Sequence, residues 1–129
     1  MITKLMSTKI KVGDLVCMYR RRSKGMGIVL RYCDDVGVHM GEDATEVMEV
    51  YREFAVKDWR ARDNFKKSIC ARSNEPDLVF DFFLYNVAFK GKLKKRFAYV
   101  KWSKKPSTYA ADAVYANCGW FPAEWLKAY

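Results

Sequence analysis

A chain of 129 residues with 24 Lys+Arg, 15 Asp+Glu and a single His carries a formal charge of +9 at neutral pH. Its 50% hydrophobic and 16% aromatic content is enough to bury a core, which excludes a disordered basic tail. Seven Gly, three Pro and no internal period exclude collagen-like, coiled-coil and repeat classes, leaving one compact basic domain suited to an anionic partner such as nucleic acid or an acidic protein face.

Met1 to Lys11 holds Lys4, Lys9 and Lys11 but no apolar run of signal-peptide length, so export by that route is not expected. Val12-Gly13-Asp14-Leu15 reads as a turn feeding a strand, with Gly supplying a permissive backbone and Asp able to bond its neighbours. Leu15, Cys17 and Tyr19 alternate with Val16 and Met18, and Ile28 to Cys33 is β-branched and aromatic enough for a second strand. The polar break Arg20 to Gly25 is then a hairpin, with Gly25 and Gly27 at its exit.

The middle changes period. Val47, Val50, Tyr51 and Phe54 fall at helical spacing, and acids from Glu42 onward suit the positive end of the helix dipole. Trp59, Arg62, Phe65 and Ile69 either continue that face to Ala71 or follow a break near Asp63-Asn64. Asn74-Glu75-Pro76-Asp77 is a start signal with Asn as N-cap and Pro in the first turn. Asp77 to Phe89 is a helix ended by Gly91 or a buried strand, and the cap signals favour helix. Its apolar run, Leu78 to Phe89, is interrupted by Asp81 and Asn86 and falls short of the ~20 residues a bilayer needs, so no membrane span is expected. Phe97 to Trp102 returns to the strand period, and the stretch Ser103 to Thr108, holding Pro106, ends it.

Charge is segregated along this order. Asp34 to Glu53 holds seven acids against Arg52 alone. Arg20, Arg21, Arg22 and Lys24 crowd the hairpin tip, and Lys90, Lys92, Lys94, Lys95, Arg96, Lys101, Lys104 and Lys105 follow one another with no acid between them.

Cys17, Cys33, Cys70 and Cys118 form no C-x-x-C pair and read as buried free thiols; a zinc site with His39 or a disulfide would need distant positions to converge. No Gly-rich phosphate cradle or G-x-S-x-G elbow is present, and Glu46 and Glu49 sit where a solvated helix face explains them. The chain is expected to be no enzyme and to need no cofactor. A Cys beside His39 is the remaining catalytic alternative.

Gly119-Trp120-Phe121-Pro122-Ala123-Glu124-Trp125-Leu126-Lys127 resembles the C-terminal signature of SH3-like barrels, in which a strand ending in Gly-aromatic-Phe-Pro enters a one-turn 3₁₀ helix and a short last strand. Val12 to Val16, Gly25 to Leu30 and Val100-Lys101-Trp102 resemble earlier strands of that family in the right order. The same combination is similar to small proteins of marine tailed phages. The resemblance implies an α+β chain: a single domain over residues 1–129, an SH3-like small antiparallel β-barrel from residues 10–33 and 94–129, and a helical insertion at 34–93 between early and late strands.

In peptide-binding members of the family, Pro and aromatic residues corresponding to Pro122 and Trp125 line a groove for Pro-rich ligands; Trp102 and Trp120 belong to the same signature. Here the neighbouring loop is Arg-rich where those domains are acidic, so Trp120, Phe121 and Trp125 are expected to close the core. The leading expectation is a structural or interaction protein, a small phage virion or assembly component in the virion or host cytoplasm, docking on protein partners through complementary charged surfaces. The alternative is a protein that contacts phosphates of DNA or RNA through Arg20 to Lys24 and Lys90 to Lys105, with Tyr99, Trp102 or Tyr109 available to stack bases.

Overall fold

The computed structural model describes residues 10–18, 25–87, 92–104 and 118–129. The hairpin tip Arg20 to Lys24, the end of the apolar run with Gly91, and the loop holding Pro106 and Tyr109 lie outside the described residues. Two compact units divide the chain: Met1–Cys33 with Ala98–Tyr129, and Asp34–Phe97.

The first unit is built on strands β1 (Leu15–Met18), β2 (Met26–Cys33), β3 (Phe97–Lys104), β4 (Cys118–Pro122) and β5 (Leu126–Ala128), with a 3₁₀ turn at Ala123–Trp125. They form one antiparallel sheet in the order β4-β3-β2-β1-β5, with β4 and β5 as its edges and no pairing among the described strands that closes it. The Gly-Asp turn launches it. Gly13 takes φ +94, a conformation that suits glycine, and the Lys11 backbone N–H donates to the Asp14 carboxylate at 3.0 Å. Gly13 N–H then reaches the Val29 carbonyl at 2.8 Å, which fixes the register Leu15 opposite Ile28 and Val16 opposite Gly27.

That register buries Val16 and Val29 and leaves Leu15 and Ile28 outside. Gly27 answers a close approach: a Cβ there would lie 2.5 Å from Val100 Cγ1 and 2.7 Å from Trp102 Cε3. β3 runs on through Lys104, past the expected stop at Ser103, whose hydroxyl donates to the Met26 carbonyl at 3.1 Å. Trp102 packs edge-on against Phe121 at 5.6 Å, and both are buried.

The second unit contains the short helix α1 (Gly37–Met40) and helices α2 (Ala44–Lys57), α3 (Trp59–Arg72) and α4 (Pro76–Val87). Asp43 caps α2, its carboxylate accepting from Thr45 N–H at 2.7 Å and Glu46 N–H at 3.3 Å. The buried face of α2 is Ala44, Val47, Met48 and Tyr51, while Val50, expected inside, is exposed.

The helical period breaks at Asp58, not at Asp63-Asn64. Its extended backbone ends α2, and its side chain accepts from Arg60 and Ala61 to start α3. α4 settles the ambiguous apolar segment as helix, with Leu78, Val79, Phe82, Phe83 and Asn86 buried. Its first turn also differs from expectation. Glu75 contributes the first backbone acceptor, to Val79 at 3.1 Å, whereas the Asn74 side chain is occupied by His39 Nδ1 at 3.0 Å. An aromatic chain holds the helices: Phe83 meets Tyr51 at 4.6 Å, Phe82 at 5.4 Å and Phe65 at 6.5 Å. No helix among the described residues is long and apolar enough to cross a membrane.

Candidate functional site

The sheet unit exposes an apolar surface. Strand alternation puts Leu15, Met26, Ile28 and Leu30 on one face, and each is between 37% and 53% exposed. Tyr129 extends it: its N–H donates to the Leu15 carbonyl at 2.9 Å and its hydroxyl to the Gly25 carbonyl at 2.6 Å, while 66% of the residue stays exposed. The opposite face, with Val16, Val29, Val100 and Trp102, is the core. β2 is therefore apolar on both faces, although only one is buried. Continuous apolarity from Met26 to Leu30 was the sequence signal for this patch.

Beside it lies an aromatic and cationic cluster. Tyr99 and Trp120 approach to 5.2 Å, and the Arg31 guanidinium sits 5.0 Å from the Trp120 ring and 5.7 Å from that of Tyr99. Of the signature residues, Trp102, Trp120 and Pro122 are buried and Trp125 is half-buried at the end of the 3₁₀ turn. The buried Trp102 Nε1 has no hydrogen-bond partner among the described residues.

The basic positions do not share one environment. Arg20, Arg21, Arg22, Lys24 and Lys105 lie outside the described residues. Lys92 and Arg96 are exposed, whereas Lys94 and Lys95 are half-buried, their backbones held by Asn86 and Val36. Lys101 and Lys104 are exposed, three positions apart on β3, so the pleat directs them to opposite faces.

Charge partitions between the units. Asp34–Phe97 contains twelve Lys+Arg and twelve Asp+Glu, whereas the sheet unit contains twelve Lys+Arg and only Asp14, Asp112 and Glu124 as acids. The whole +9 belongs to the sheet unit. Within the helical unit the acidic stretch is locally answered: Glu42 pairs with Arg72 at 2.8 Å and Glu53 with Lys57 at 3.1 Å.

Cys17 and Cys33 are buried and Cys70 and Cys118 half-buried, all as free thiols. Burial pushes the Cys70 thiol up, with Lys66 opposing. Among the described residues no three His, Cys, Asp or Glu side chains converge as a metal site. His39 lies in α1, and its ring partner is Asn74.

No protein-family model matches the chain, and no curated protein or solved structure is significantly similar to it.

Proposed function

We propose that this chain is a non-enzymatic interaction protein built on an SH3-like barrel, an assembly component of a tailed-phage virion that docks on protein partners through its sheet face. The observation that carries the reading is the exposed group Leu15, Met26, Ile28, Leu30 and Tyr129, because contiguous apolar surface on a folded unit marks an interaction site. The barrel reading is supported by a distance argument. The edges of a flat five-stranded sheet lie about 19 Å apart, at ~4.8 Å per strand. Three residues of 3₁₀ helix rise only about 6 Å, yet Ala123–Trp125 alone joins edge strand β4 to edge strand β5. Only a strongly curled sheet accommodates that link.

Mass spectrometry of particles purified from the source tests the reading. The chain is expected among their proteins, and Leu15→Lys with Ile28→Lys is expected to lose particle association while retaining the wild-type circular dichroism spectrum. Absence of the wild-type chain from the particles overturns the reading.

A second reading, phosphate contact with nucleic acid, is favoured by the confinement of the net charge to the sheet unit. It predicts that Lys101→Glu with Lys104→Glu weakens binding to single-stranded or duplex nucleic acid and flattens the fall of log affinity with log salt. No binding of the wild-type chain at about 50 mM salt defeats it.

A further inference from the structure

Helix α3 turns an unusual face to solvent. Arg60, Asn64, Lys67, Ser68 and Ala71 are all exposed. At 3.6 residues per turn they fall within about 100° of one another, opposite the side on which Phe65 and Ile69 meet the helical core. The stripe holds two cations, an amide, a hydroxyl and a methyl, and no carboxylate. Asp58 and Asp63, the acids nearest to it on the chain, are engaged with the α3 N-terminus and with Arg62 at 3.4 Å.

The side chains of Asn64, Lys67 and Ser68 make no hydrogen bond or ion pair with any described residue, and Arg60 rests 5.4 Å from the exposed Trp59 ring. On α2, by contrast, Glu53 and Lys57 satisfy each other. A polar, cationic helix face on which Asn64, Lys67 and Ser68 have no partner among the described residues has hydrogen-bonding capacity available for a ligand.

We infer that this face of α3 reads the major groove of double-stranded DNA. The side-chain types fit the edge chemistry found there: Arg and Lys donate to guanine O6 and N7, Asn pairs with adenine N6 and N7, Ser serves either, and an Ala methyl meets the thymine methyl. The size also fits, since a helix of about 10–12 Å diameter enters a groove about 12 Å wide. From Arg60 to Ala71 the stripe rises about 16 Å, at ~1.5 Å per residue, the length of about five base pairs. Duplex RNA is the wrong partner, because its major groove is too deep and narrow for a helix. The helical unit is electrically neutral as a whole, so the face acts by direct contact and not through a long-range field.

This goes beyond docking through the sheet face, and either can fail without the other. The test is fluorescence anisotropy of the full chain with a mixed-sequence 25-base-pair DNA duplex, the matching RNA duplex and single-stranded DNA at fixed salt. The duplex DNA is expected to bind tightest. Arg60→Glu with Lys67→Glu is expected to weaken it at least tenfold and to lower the salt slope by about two. Asn64→Ala with Ser68→Ala is expected to change mean affinity less than threefold while flattening the sequence preference obtained by selection from a random duplex library. Arg60→Gln with Lys67→Gln, read the same way, stands in if the charge-reversed chain fails to fold. Equal binding of all three nucleic acids, absence of binding, or indifference of duplex affinity to both Arg60/Lys67 variants overturns the inference.

Discussion

Asn86 is the one polar side chain in the buried set of described residues, and it works as a main-chain clamp. Its Nδ2 donates to the carbonyls of Phe82 at 2.9 Å and Lys94 at 3.0 Å, and its Oδ1 accepts from Lys94 N–H at 2.7 Å. The groups it satisfies on Lys94 belong to the backbone and survive any substitution at Asn86. Both Asn86→Ala and Asn86→Leu should therefore cost about 1–3 kcal/mol, the penalty for releasing a half-buried donor and acceptor from the clamp. The check is a fall in the urea midpoint at constant slope; an Asn86→Leu variant as stable as wild type would refute the clamp.

Asp43 offers a pH prediction at the same scale. The Thr45 and Glu46 backbone N–H groups hold its carboxyl below the usual value of 3.8. A lowered folded value stabilises the fold above the unfolded value and loses that stabilisation as pH falls through the folded one. Wild type should thus exceed Asp43→Asn in Tm at pH 7 and lose that advantage in acid, as pH falls through the lowered value and the carboxyl protonates. Cys70, with its thiol raised by burial, should react with a disulfide reagent more slowly at pH 8 than an unstructured cysteine, and gain rate as pH passes 9.

At the scale of elements, close approach and capping govern. β2 and β3 meet across Gly27 with no room for a methyl group, since Val100 and Trp102 already occupy the space and the Lys101 carbonyl lies 3.0 Å from where the Cβ would stand. Gly27→Ala should destabilise the sheet by about 1–3 kcal/mol, the usual cost of overpacking, seen as a lower thermal midpoint with altered tryptophan emission. An unchanged midpoint would mean that the strands separate freely. Asp58 separates two helices with one residue, donating its N–H to the Phe54 carbonyl while its carboxylate receives the first turn of α3. Asp58→Ala should cost about 1 kcal/mol through the lost cap, measured by chemical denaturation.

At the scale of the whole molecule, the net charge is a property of one unit. Lys101 and Lys104 belong to the sheet unit, whereas Lys57 and Arg72 are held by carboxylates. Changing either pair to Gln removes two charges. The sheet pair should shift elution from a cation exchanger to lower salt by the larger amount, because the charges of Lys57 and Arg72 are locally cancelled. Equal shifts would mean that the charge acts as an average over the chain.

The sequence by itself determined the Gly-Asp turn, the two early strands and the mix of strand and helix periods. Each rests on local chemistry: a permissive glycine, an aspartate bonding its neighbours and the alternation of side chains. The succession of strand, 3₁₀ turn and strand at the C-terminus is implied by the resemblance of Gly119 to Lys127 to SH3-like barrels. The sequence left the apolar segment at Asp77 open between helix and strand because its apolar residues cover nearly the whole circumference, which hides the period. Neither of its two readings, a continuous face to Ala71 or a break near Asp63-Asn64, found the break at Asp58, since only three-dimensional capping shows Asp58 closing one helix and opening the next.

The tertiary structure alone decided which apolar residues stay outside. Leu15, Ile28 and Leu30 differ from Val16 and Val29 in no way that composition records; the pairing register assigns each to its face. Only the structure, again, separated Glu42 and Glu53, which pair with Arg72 and Lys57, from Asn64, Lys67 and Ser68 of α3, whose side chains have no hydrogen bond or ion pair among the described residues. Burial and pairing are properties of neighbours in space, and linear sequence carries them only where the neighbours are also close along the chain.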